Sequence, residues 1–228
     1  MAHREGVNTA SLHCFPEGSV AYDRVEKRVT TDHIKALMIP AWRLRDTVPW
    51  TVSWTGEENF DLTDSRDFPG LVDLVQIERP GEGLPKFKAL HVTRLRVGMA
   101  RHFCHVCGRL TPRNDRYLLP VQSGGFVSVG EDPFRYAANV PPLHLACTQK
   151  AQRLCPHLRQ ATIPPIAYPS EESWLLPRRD VVEGMEALAK TLPPNLPVVF
   201  SCYRLFGPRF SRKILQLRQA HAQHAFMR

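Results

Sequence analysis

Apolar and polar residues alternate over some short stretches of this chain and recur with a helical period over others. Residues 51–54 alternate as a strand does. Residues 90–97 alternate imperfectly through Leu90, Val92, Leu95 and Val97, and are read as a second strand. Residues 71–77 form a short, mostly buried element after the Pro69-Gly70 turn. Residues 116–121 and 126–129 are a strand and its return, with Gly124-Gly125 as the turn and 130–142 as loop. The stretch 198–205 is strand-like. Helices are expected over 31–38 (Ile34, Leu37 and Met38 inward, Pro40 as the stop), from Pro141-Pro142 to Leu154, from Asp180 to Leu192, and over 211–225.

The fold class expected from these strands and helices is α+β, irregular and rich in proline. Twenty prolines punctuate 228 residues, most densely over 163–169 and in the turn-rich linker 78–85. The expected organisation is an N-terminal α+β part over 1–98, a metal-binding module over 99–162 and a C-terminal strand-helix part over 163–228. All three could form one compact domain. A hydrophobic fraction of 43% supplies a core, and no apolar run is long enough to span a bilayer. No apolar stretch follows the first charged residues, so the expected location is the cytoplasm.

The chemistry lies in the cysteines. Cys104 and Cys107 form a CxxC closed by Gly108, and after a gap of 36 residues His144 and Cys147 form an HxxC at a predicted helix start. Residues three apart on a helix share a face, so both can reach one metal. Three thiolates and an imidazole are the Cys3His set of a closed, structural zinc site, which leaves no open position for a catalytic water. Buried, reduced cysteines would not require the paired spacing. Cys155 and His157 lie beyond the helix's reach to that metal; they are a free thiol, a substitute ligand or part of a second site. Cys14 and Cys202 are read as plain core or surface cysteines, and His102 and His105 as exposed by default, with support behind the ligands as the alternative.

The order knuckle, hairpin, helix resembles the treble-clef class of zinc fingers, over residues 102 to about 158. The resemblance implies Cys104 and Cys107 in the knuckle, His144 and Cys147 in the helix, and an insertion near 128–141 that lengthens the hairpin. Nuclease members carry a general-base histidine on the hairpin; residues 116–129 contain none. The phrase PPLHLAC…CPHL is also similar to uncharacterised actinobacterial proteins, which implies a bacterial source and no activity.

Charge adds an alternative. The chain carries a net charge of +8, and no acidic residue follows Glu186. Arg209, Arg212, Lys213 and Arg218 are candidate phosphate contacts for nucleic acid. The competing reading packs this basic region against the acidic stretch 57–82 of the same chain, or makes it a solvated helix face. Within that stretch, Glu57 and Glu58, or Asp64 and Asp67, are read as a solvated loop. The catalytic signatures HExxH, GxSxG, GxGxxG, the phosphate-binding P-loop and the deaminase motif are all missing from the sequence. Three functions remain: a non-catalytic zinc module that binds a protein partner, a nucleic-acid-binding protein, and an enzyme with a pocket lined by Trp42, Trp50 or Trp54 and a reactive Cys155.

Overall fold

The computed structural model describes residues 48–119, 124–129, 132–155, 158, 164–169, 172–181 and 185–226, with backbone only for 132–133 and 221–226. The helix expected over 31–38, and Cys14, Trp42 and His157, lie outside these residues. Strands and helices both occur, as an α+β chain requires. Strands β1 (Val52–Trp54) and β4 (Pro85–Leu90) pair antiparallel. Strands β2 (Phe60–Asp64), β3 (Val72–Gln76) and β10 (Val198–Val199) form a sheet with β3 in the middle. A four-stranded sheet runs in the order β6 (Gly125–Val129), β7 (Asp132–Ala138), β11 (Ser201–Phe206), β9 (Ser173–Arg178). Strands β5 (Tyr117–Leu118) and β8 (Ile166–Ala167) pair separately.

Four α-helices are present among the described residues: α1 (Val92–Arg101), α2 (Leu145–Leu154), α3 (Glu186–Thr191) and α4 (Pro208–Phe226). Helix α1 joins the sheets. Its Val92 packs with Leu74, Val198 and Phe200, and its Leu95 and Met99 pack with Phe68, Val199 and Cys202. A third cluster lies under α4, where Phe210 and Ile214 meet Tyr136, Tyr168 and Phe206. Burying each of these aromatic side chains contributes about 1.5–3 kcal/mol.

Helix α1 replaces the strand expected over 90–97. Val92, Leu95 and Met99 fall at i, i+3 and i+7, a helical stripe that the interleaved Arg94 and Arg96 made look like alternation. Both arginines are buried because each has a carboxylate. Arg94 Nη2 lies 2.5 Å from Glu57 Oε2, and Arg96 Nε lies 3.2 Å from Asp73 Oδ2. His91 starts the helix: its Nδ1 accepts from the Arg94 backbone N–H at 3.2 Å, and its Nε2–H donates to the Ile77 carbonyl at 3.0 Å. Gln76 Oε1 takes the Val92 N–H at 3.0 Å. Thus Glu57 is not in a solvated loop. It is fully buried and also accepts the backbone N–H groups of Trp54 (2.8 Å) and Arg79 (3.0 Å).

Three further expectations are corrected. The C-terminal region does pack on the acidic stretch, through β10 on β3, but not by charge: among the described residues Glu57, Glu58, Asp67 and Asp73 pair with Arg94, Lys86, Arg101 and Arg96 of β4 and α1. The segment 130–142 is not a loop. Most of it is β7, held by the burial of Tyr136, Ala137 and Ala138, and β6 pairs with β7 while β5 pairs with β8. Among the described residues Asp180 caps no helix; its carboxylate pairs with Arg178 at 2.6 Å, and α3 begins at Glu186.

Candidate metal centre

The chain leaves α1 through His102, whose φ of 59° is the left-handed conformation that ends helices. The next residues fold back as a tight knuckle. Phe103 and Leu110 bridge antiparallel, Cys104 N–H donates to the Arg109 carbonyl (2.7 Å), and Gly108 N–H donates to the Cys104 carbonyl (2.9 Å). Gly108 has φ +67° and lies against the Trp50 indole, where a Cβ would come within 2.7 Å of the ring. The knuckle therefore requires glycine here for conformation and for space.

The second half of the site is the start of α2. Tyr117 and Leu143 bridge antiparallel, His105 N–H donates to the Pro142 carbonyl (2.9 Å), and His144 occupies the helix N-cap position. The His144 side chain makes no cap hydrogen bond. Asp115 supplies one instead, its Oδ1 accepting the Leu145 N–H at 2.7 Å. Buried Thr148 ties the first turn further through its hydroxyl to the Leu145 carbonyl (2.6 Å).

These two pieces bring the four expected donors together. One donor atom from each of Cys104, Cys107, His144 and Cys147 lies within 4.8 Å of all the others. His144 Nδ1 is 3.4 Å from Cys107 Sγ and 3.9 Å from Cys147 Sγ. The edges of a zinc tetrahedron built from three thiolates and an imidazole are about 3.5–3.8 Å, so the donors are grouped to fit a metal ion. The thiols interact strongly among themselves. Cys107 accepts from both others and is pushed down to about 2; Cys104, donating to Cys107, is pushed up to about 11, and Cys147 is pushed up as well. A coordinating cation would hold all three as thiolates.

Leu110 adds an outer support. Its carbonyl lies 3.1 Å from His144 Nε2 and can only accept, so Nε2 carries the proton and Nδ1 presents its lone pair to the sulfurs. That support was not visible in the sequence, because it is a backbone group.

The flanking histidines do not join the donors, and neither is freely exposed. His105 Nδ1 lies 2.6 Å from the Thr51 hydroxyl, and burial lowers its pKa to about 4. His102 packs edge-on against Tyr168, with ring centroids 5.7 Å apart. Burial, then the charges of Arg204, Arg116 and Arg113, lowers its pKa to about 3. Cys155 stands at the far end of α2 as its C-cap, a free thiol outside the donor group. Cys202 is fully buried in the α1 core. Trp50 and Trp54 are core residues, and neither lines the groove formed by Arg179, Leu192, Pro194 and Phe200. Arg209, Arg212 and Lys213 are exposed on α4. Arg218 is half-buried, its guanidinium over the Phe126 and Tyr136 rings, and it donates to the Gly124 carbonyl at 3.2 Å. Among the described residues, no helix is long and apolar enough to cross a membrane.

The chain matches no family model, no curated protein and no solved structure.

Proposed function

We propose that this chain is a zinc protein with a closed, structural centre of treble-clef type, acting as a non-catalytic interaction or regulatory module for a protein partner. The observation that carries it is the convergence of Cys104, Cys107, His144 and Cys147 within 4.8 Å of one another. Three sulfurs and one nitrogen are the donor set that suits tetrahedral zinc. Four protein donors complete that tetrahedron, so no position is left for a substrate or a reactive water.

The treble-clef reading draws on the order of the pieces: knuckle, the short Tyr117–Leu143 bridge, then the ligand-bearing start of α2. The long gap between the ligand pairs is taken up by the β6–β7 hairpin, which belongs to the four-stranded sheet. On this reading residues 99–162 are a module that the metal fastens between the flanking parts 1–98 and 163–228. Its contribution is to folding.

Trp50 supplies the test, because Gly108 rests on its indole. Chelation should lower the melting temperature and shift the tryptophan fluorescence, and zinc should restore both. Unchanged melting after complete metal removal would contradict the proposal.

A further inference from the structure

Helix α4 presents two different faces. Phe210, Ser211, Ile214 and Leu217 turn inward onto Tyr136 and Phe206. The opposite face is exposed and carries Arg209, Arg212, Lys213, Gln216, Gln219 and Ala220, at i, i+3, i+4, i+7, i+10 and i+11. No carboxylate occurs in the helix. We propose that this face is a binding surface for double-stranded DNA, with Arg209, Arg212 and Lys213 on phosphates and the helix lying in the major groove.

Charge and shape choose the occupant. Three cations without an intervening acid form a surface complementary to a polyanion. A membrane-surface helix would need its apolar side free for lipid, but that side of α4 is already buried in the core. The exposed groups beyond the cations are two amides and an alanine, short enough to let the helix approach base edges. A helix with side chains is about 10–12 Å across and matches the major groove of B-form DNA, about 12 Å wide. The major groove of A-form RNA is too narrow for it.

Glu172 fixes which part of the helix can serve. Its carbonyl accepts the Gly207 N–H at 2.8 Å, and its carboxylate approaches Gly207 at the head of α4. The helix N-terminus is thus already faced by a negative charge, and the side stripe is what remains for phosphate. Arg218 is not part of the stripe, because it is held over Phe126 and Tyr136.

The test is fluorescence anisotropy of the full-length, metal-loaded protein with a random-sequence DNA duplex two helical turns long, over about 50–200 mM salt. Affinity should fall with salt. In R209A/R212A/K213A the slope of log K against log salt should weaken by about two to three, and low-salt affinity should drop at least about tenfold. The charge-preserving R209K/R212K/K213R should keep the wild-type slope. The single variant Arg212→Glu gives the same reading, a clear loss of affinity, if the triple variant does not fold. Absence of binding at low salt, an unchanged slope in the alanine variant, equal affinity for an A-form RNA duplex, or binding only to phosphatidylserine vesicles or an acidic peptide would each overturn the proposal.

Discussion

His144 Nε2 lies 3.1 Å from the carbonyl oxygen of Leu110, which assigns the ring proton to Nε2 and turns Nδ1 toward the sulfurs of Cys107 and Cys147. The knuckle thus orients the His144 ring through its own backbone. Nitrogen NMR of the zinc-loaded protein should show His144 with a protonated Nε2 and a metal-bound Nδ1. The opposite assignment would mean that the Leu110 contact does not set the ring.

Asp115 caps the helix on which His144 and Cys147 sit. Asp115→Ala should cost about 1 kcal/mol in stability. It should also speed zinc loss to a chelator while leaving the bound stoichiometry unchanged. A variant that releases zinc at the wild-type rate would show that the cap does not preorganise the site.

Gly108 meets Trp50 in a left-handed conformation. Gly108→Ala adds backbone strain and a collision with the indole, so the knuckle must shift. The expected result is weaker zinc binding together with an altered tryptophan emission. Normal affinity and emission would mean that the knuckle tolerates a side chain there.

Glu57 and Arg94 are a buried ion pair at 2.5 Å, and Glu57 also accepts two backbone N–H groups. Removing one partner strands the other charge in the core. Glu57→Ala should therefore destabilise by about 3–5 kcal/mol in denaturant titration. A loss under about 1 kcal/mol would show that water reaches the pair.

His91 gives the fold a pH dependence. Burial first, and then the positive charge of Arg94, lowers its pKa from 6.5 to about 3, and both ring nitrogens are engaged in the neutral form. Between these values the unfolded chain binds the proton and the folded chain does not. Stability is therefore complete above pH 6.5 and falls as pH drops toward 3, by at most about 1.4 kcal/mol per pH unit. His102 and His105 act in the same direction. Asp73 and Glu78, whose pKa values burial raises, act in the opposite direction. The difference between wild type and His91→Asn isolates the His91 contribution; identical pH slopes would contradict it.

The grouping of Cys104, Cys107, His144 and Cys147 was legible because coordination chemistry imposes short, fixed spacings: CxxC on a turn and HxxC on one helix face. The helix expected to begin near Pro141-Pro142 begins three residues after them, at Leu145, with His144 as its N-cap. Helix α1 was not legible, because Arg94 and Arg96 read as surface positions and only their distant carboxylates, Glu57 and Asp73, make them core residues. The same long-range pairing hid Glu57 in an apparently solvated acidic stretch. Strand β7 was missed for a related reason. Its partners β6 and β11 were both read as strands, but nothing local pairs them with 132–138, and β11 lies more than 60 residues downstream. Local chemistry was visible in the sequence, whereas burial set by remote partners was not.

The proposed zinc centre is tested most directly by elemental analysis of the purified chain beside single Cys→Ser changes at Cys104, Cys107, Cys147 and Cys155, with His144→Ala. The wild type and Cys155→Ser should each hold one zinc per chain, and each of the other four should lose most of it. A metal-free, fully folded wild type, or zinc retained at full affinity in the Cys104→Ser and Cys147→Ser variants, would contradict it.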